Sequence, residues 1–168
     1  EDRILDYGTG DGFMLSKIRS ENNLCKIVGY EPIPDMFEEL KEKIGTSNKQ
    51  SVELVNNIND YANNSFNKVC CLEVLEHLTE INQKKEIETM VNLLTNDGKL
   101  IISVPIEFGF SSLLKNVVRI LLRQSHRNTT FRNVIFSLLG VHFHRGDEAF
   151  ISGHIGFYYH DLEKILLS

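Results

Sequence analysis

Three features of the sequence predict an α/β fold built on a parallel sheet with helices on both faces. Short runs rich in β-branched residues alternate with helix-like stretches through the first 105 positions, the pattern of βαβ units. Turn and helix-end residues punctuate that alternation: Asn22 and Asn23, Gly45, and the run Asn96-Asp97-Gly98. The 168 residues, 42% hydrophobic and 24% charged, make one globular domain of ordinary size with enough length for a core.

The elements follow in order. "RILDYG" reads as a first strand and "GFMLSKIRSENN" as a helix closed by asparagines. "CKIVGYEP" is a second strand, and "DMFEELKEKIG" a second helix that stops at a glycine. "SVELVNN" and "FNKVCCLEVL" are the third and fourth strands, and "INQKKEIETMVNLLTN" is a charged helix. The "NDG" turn then leads into "KLIISVPI", a fifth strand rich in β-branched residues. After Pro105 the rhythm changes. "SSLLKNVVRILLRQ" and "FRNVIFSLLG" read as two helices, and "HDLEKILLS" begins a third. The chain is thus organised as a core over 1–105, a helical insertion over 106–156, and the start of a last core helix over 157–168, all in one domain.

Composition excludes some classes. No apolar run approaches the roughly 20 residues that span a bilayer. No signal peptide is visible, although the chain opens on Glu1 rather than Met. Cys25, Cys70 and Cys71 cannot all pair, and two adjacent ones within an apolar run suit reduced, buried thiols in a cytoplasmic protein. The net charge of −5 is uneven. Between Glu107 and Asp147 there is no acid, yet Lys115, Arg119, Arg123, Arg127, Arg132 and Arg145 fall there, which leaves the rest of the chain at −11.

The chemistry starts at "ILDYGTGDGF". Glycines at 8, 10 and 12 follow a strand and open a helix, so backbone N–H groups are available and a ligand can come close. The pattern is G-x-G-x-G, not the G-x-G-x-x-G of dinucleotide sites. Asp6 precedes it and is expected to hold the turn by accepting from its amides. Glu31 ends the second strand 23 residues after Gly8, near the spacing at which an acid meets ribose hydroxyls. An acid there rejects a 2′-phosphate and accepts a free diol. The plainer reading of Glu31 is a solvated strand-end carboxylate.

Four stretches, "ILDYGTGDG", "VGYEPIPDMFEE", "FNKVCCLEVLEHL" and "NDGKLIISVP", in this order, resemble the motifs of the class I S-adenosylmethionine-dependent methyltransferases. The similarity runs from about Arg3 to Pro105, with an echo in "GHIGFYYHDLEKIL", and is greatest for the group containing ubiquinone-biosynthesis O-methyltransferases. The resemblance implies a Rossmann-like, doubly wound parallel sheet of order 3-2-1-4-5, with the family's terminal strand pair missing, so that the chain reads as a fragment or part of something longer. It implies S-adenosylmethionine as cofactor. Asp6, Gly8, Thr9, Gly10 and Gly12 would shape the loop, Glu31 would bind the ribose diol, and Pro32 and Met36 would pack on the adenine. Asn57 and Ile58 would border the adenine amino group, with Asn57 standing where the family usually has Asp. Leu72 would lie beneath the sulfonium.

A hydroxyl acceptor needs a base or a metal. "E-x-x-E-H" (Glu73, Glu76, His77) reads first as the start of the helix after the fourth strand, with its acids favouring the helix N-terminus. The resemblance offers a sharper reading: ubiquinone-type and small-RNA 2′-O-methyltransferases hold a divalent metal with this arrangement, and His154 would be the fourth ligand. A Mg²⁺ or Mn²⁺ site is therefore considered but not favoured. His77 and His154 are the candidate catalytic groups. His142 and His144 would share a face of an extended segment, where a surface loop is the plainer reading; with His154 and His160 they place this stretch beside an acceptor pocket.

Lys115, Arg119 and Arg123 fall at i, i+4 and i+8, one basic stripe on a leucine-rich helix. A lid over the acceptor is the first reading, and peripheral contact of 111–140 with an anionic membrane or lipid-linked substrate the second. Contact with nucleic acid comes last, because the chain is acidic and stacking aromatics are sparse there. The expected function is O-methylation of a small-molecule, sugar or lipid-linked acceptor. The alternatives are an inactive nucleoside-binding module and an RNA ribose methyltransferase. An NAD-dependent oxidoreductase is disfavoured by G-x-G-x-G and by the lack of a Tyr-x-x-x-Lys pair.

Overall fold

A computed structural model of the chain describes residues 2–21, 24–45, 52–105, 157 and 159–167. Five strands form one sheet: β1 (Arg3–Tyr7), β2 (Lys26–Tyr30), β3 (Val52–Val55), β4 (Phe66–Leu72) and β5 (Leu94–Ser103). Every pairing is parallel and the order is β3-β2-β1-β4-β5, as the family resemblance implied. The helices are α1 (Phe13–Glu21), α2 (Pro34–Gly45), α3 (Glu80–Leu93) and α4 (Tyr159–Leu166). The two helices expected within 106–156, with His142, His144 and His154, lie outside the described residues. The chain divides into two compact units, Glu1–Leu72 with Glu88–Ser103, and Glu73–Ile87 with Val104–Ser168.

Parallel strands are buried on both faces, and the side chains obey that demand. On one face, Ile4, Ile27 and Cys70 join Leu15 of α1 and Leu40 of α2 in a buried cluster, with Val52, Leu54 and Leu72 packed against it. The alternate positions Leu5, Val28, Val69 and Cys71 are also buried. All three cysteines are buried and none forms a disulfide, and neighbours such as Cys70 and Cys71 point to opposite faces of their strand.

Two boundaries differ from the sequence reading. The fourth strand stops at Leu72 because Glu73 takes a left-handed φ of 55°, and a 3₁₀ turn at Leu75–His77 follows instead of a helix start. Helix α3 begins at Glu80, one residue ahead of the stretch "INQKKEIETMVNLLTN". The fifth strand starts at Leu94, paired with Phe66, but regular pairing resumes at Lys99 with Lys68. The "NDG" turn thus survives as an irregularity inside the strand.

Close approach of α1 to the sheet rests on Gly29. A Cβ there would lie 2.7 Å from Leu15 Cδ1 and 3.1 Å from Leu54 Cδ2. Leu15 is fully buried and has little room to retreat. Gly29→Val is expected to destabilise the chain by about 1–3 kcal/mol through overpacking. Urea unfolding checks this. Adding Leu15→Ala should cost less than the sum of the two single losses; strict additivity would show that the two positions do not meet.

Candidate functional site

The glycine loop follows β1 at the point where strand order reverses, β2 on one side and β4 on the other. Open parallel sheets bind ligands at that point, outside the carboxyl ends of the strands. Gly8, Gly10 and Gly12 all have positive φ, of 80°, 53° and 77°, which is why glycine recurs at alternate positions. Gly12 is also held for space, since a Cβ there would sit 2.7 Å from Leu40 Cδ1 and 3.1 Å from Ile44 Cδ1 of α2.

The loop's amides are accounted for by the next strand. Tyr7 and Tyr30 are register partners, so β1 and β2 end level. The Tyr30 carbonyl accepts from both Gly8 N (2.8 Å) and Thr9 N (2.9 Å). Gly10 N donates to Glu31 Oε2 at 3.0 Å. Gly12 N closes a turn onto Thr9 O at 3.0 Å, and Asp11 Oδ1 accepts from Phe13 N to start α1. From α2, Lys43 Nζ donates to Asp11 O (2.7 Å) and Asp11 Oδ2 (3.1 Å).

Asp6 was expected to accept from the loop's amides, but those amides go to the Tyr30 carbonyl. Asp6 Oδ2 takes the Thr9 hydroxyl instead, at 2.6 Å. The reason is level: Asp6 pairs with Gly29 and Cys70, one residue below the strand end, so its carboxylate lies under the loop and not beside it. It is 2% exposed, and burial pushes its pKa up from 3.8 to about 6, against the lowering effect of the Thr9 hydroxyl.

Glu31 is not a solvated strand-end carboxylate. It is 3% exposed, with Oε2 on Gly10 N and Oε1 accepting from Ile33 N at 3.0 Å. Met36 is exposed, and its Cε would lie 3.9 Å from a Cβ on Gly10, so its methyl borders the loop. Pro32 is exposed beside it. The bond from Glu31 N to Val55 O joins the ends of β2 and β3, and Asn57 and Ile58 follow. Asn57 is turned inward on its own 3₁₀ turn: Oδ1 accepts from Asn59 N and Nδ2 donates to Asp60 Oδ1 at 3.1 Å. Ile58 is buried, and Leu72 is half-buried at the end of β4. All eleven expected cofactor residues therefore fall in one unit, around the carboxyl ends of β1 to β4.

The other expected residues belong to the second unit. Glu76 is fully buried, with His77 Nε2 at 3.9 Å from its Oε1. Gln83 secures their turn by donating from Nε2 to Leu75 O and Leu78 O. His160 is exposed on α4, where Nδ1 lies 2.9 Å from Glu163 Oε2. Among the described residues no three His, Cys, Asp or Glu side chains are grouped as metal ligands, and His154 is not among those residues. Sequence reasoning missed Lys43 and the Tyr30 carbonyl. A signal for Lys43 existed: it falls between Leu40 and Ile44, on the stripe of α2 that meets Gly12.

Residues 1–159 match the methyltransferase domain family, and the chain belongs to that family. A comparison with curated proteins finds no match. Among solved structures, a protein of Bacillus halodurans C-125 is similar with a TM-score of 0.62 and 15% identity, over 99% of this chain and 61% of that one. An S-adenosylmethionine-dependent methyltransferase from Aquifex aeolicus gives a TM-score of 0.53 at 20% identity, over 60% and 55%. Phosphoethanolamine N-methyltransferase 2 of Haemonchus contortus, solved in complex with S-adenosyl-L-methionine, gives 0.53 at 23%, over 60% and 24%. At these identities the likeness is one of fold. The chain spans less than two thirds of the length of each.

The raised pKa of Asp6 has a stability consequence. Between pH 3.8 and about 6 the folded chain holds a proton that the unfolded chain has released, so this group's contribution falls as pH rises and levels off above 6. The full cost is about 3 kcal/mol. Asp6→Asn removes it. The stability of the variant relative to the parent, from urea unfolding at a series of pH values, should climb from pH 4 to 6 and then stay level. A difference that does not change over that range would show that Asp6 carries no such penalty.

Proposed function

We propose that this chain is the cofactor-binding portion of an enzyme that transfers a methyl group from S-adenosylmethionine to a hydroxyl of a small-molecule, sugar or lipid-linked acceptor. The observation that carries the cofactor reading is Glu31: a buried carboxylate at the end of β2, joined to the middle of the glycine loop after β1. A glycine loop that lets a ligand come close, with an acid beside it, suits a nucleoside with an unmodified ribose diol. Family membership and the presence of the whole residue set in one unit support the same reading.

Glu31 would take the ribose hydroxyls, Pro32 and Met36 would offer exposed apolar surface to the adenine, and Asn57 and Ile58 would border its edge. Gly8, Gly10 and Gly12, shaped from below by the Asp6–Thr9 bond, would follow the rest of the molecule, with Leu72 at the end of β4. Bound S-adenosylmethionine supplies an electrophilic methyl on a sulfonium. The protein's share is to align the acceptor and exclude water, and proximity alone is worth roughly 7–11 kcal/mol. His77 and, by sequence, His154 are the candidates for taking the acceptor proton. Among the described residues no helix is long and apolar enough to cross a membrane. The lipid-linked option rests on the basic stripe of Lys115, Arg119 and Arg123 within 111–140.

Calorimetric titration with S-adenosylhomocysteine tests the cofactor. Micromolar binding is expected, with no measurable binding of NADH; absence of S-adenosylhomocysteine binding would overturn the reading. Glu31→Ala should weaken that binding by about 1.5–3 kcal/mol, the value of a hydrogen bond to a charged group. Unchanged affinity would remove Glu31 from the site.

A further inference from the structure

We infer that Glu31 is a positioning residue as well as a ligand contact: its carboxylate latches the glycine loop into its binding shape. The inference rests on the cofactor reading above for the ligand, but the latch itself is a property of the chain alone.

The local sequence builds the latch. Glu31 precedes Pro32, and a residue before proline is confined to extended backbone. Proline has no N–H, so the nearest donor ahead of Glu31 is Ile33 N, which Oε1 accepts at 3.0 Å. That bond fixes one oxygen and turns the other toward β1. Oε2 then accepts from Gly10 N, also at 3.0 Å, across 21 positions of sequence. Gly10 sits midway between the two other glycines and has a φ of 53°. The ends of the loop are tied elsewhere, by the Tyr30 carbonyl at Gly8 and Thr9 and by Leu40 and Ile44 against Gly12. Gly10 N has Glu31 as its partner, so this bond is what orders the centre of the loop.

Both roles fit one carboxylate. Its two oxygens offer about four lone-pair sites. Two are used by the amides, and two remain, the number that a vicinal diol can fill. A loop of three glycines left unlatched samples many conformers, and a ligand would have to order it on binding. With the latch that ordering belongs to folding, and the cofactor meets a preformed loop.

The two roles separate when the ligand has no diol. The full chain is titrated with S-adenosylhomocysteine and with its 2′,3′-dideoxy analogue, as parent, Glu31→Ala and Glu31→Asp. Aspartate is the informative variant: it keeps the charge and can still accept from Ile33 N in an Asx-type turn, but it is one methylene too short for Gly10. The latch predicts that both variants bind the dideoxy analogue about three- to tenfold more weakly than the parent. A carboxylate that only recognises the diol predicts equal affinity for that analogue, and this result would overturn the inference. Amide exchange in the ligand-free chain gives an independent reading. Gly10 should exchange about tenfold faster or more in Glu31→Asp, while Leu5 and Val28 in the strands keep their protection. Unchanged exchange at Gly10 would also overturn the latch. If the parent binds neither nucleoside, the cofactor reading fails while the exchange result still decides the latch.

Discussion

The pairing of β1 with β2, level from Arg3 and Lys26 up to Tyr7 and Tyr30, is the constraint on which the site depends. Because the two strands end at the same height, the last carbonyl of β2 faces the first amides of the loop, and the next residue, Glu31, faces the loop's centre. A slip of one residue would send every side chain to the opposite face of the sheet. It would take Asp6 from under the loop and Ile4 and Ile27 out of the cluster they share with α1 and α2. Core and site are therefore specified by the same register, and neither can be repaired without the other.

Helix α2 adds the third side of the frame. It leaves β2 just after Glu31, and its inner stripe brings Leu40 and Ile44 against Gly12 and Lys43 onto the Asp11 carbonyl. Exposed ion pairs contribute little stability by themselves. Here the carbonyl contact is directional, and it fixes the exit of the loop where α1 begins. The ammonium thus acts on geometry more than on stability. Beneath the loop the balance is different, since Asp6 is kept in a place where its charge is costly and where its one hydrogen bond, from Thr9, offsets only part of that cost. A local strain of this kind is common where backbone shape matters more than fold stability.

Much of this was legible in the sequence. Strands β1 to β4 and helices α1 and α2 follow apolar runs bounded by glycine, asparagine or proline, and short-range signals of that kind survive folding unchanged. The three glycines and Glu31 were legible because their spacing is set by one βαβ unit. What could not be read depends on distant partners or on small backbone choices. The left-handed turn at Glu73 breaks the apolar run "FNKVCCLEVL" where periodicity gives no warning. The sequence does not reveal that the Asn57 side chain also caps its own 3₁₀ turn, as asparagine side chains tend to do. The destination of the Gly8 and Thr9 amides is a main-chain carbonyl, which has no letter in the sequence at all.

A loop anchored on main-chain oxygen can keep its shape while its sequence changes over time. Two of the loop's anchoring bonds end on the backbone oxygen of Tyr30, so they do not ask for tyrosine. Any residue that continues the strand would present the same oxygen at the same height. Where bulk is excluded, as at Gly12 and Gly29, the freedom vanishes, because the neighbouring leucines leave no room for another atom. Substitution is thus tolerated at the anchor and costly at the points of contact. A lineage can rewrite most of its residues and keep the loop, inheriting the shape of its backbone and the positions where nothing fits.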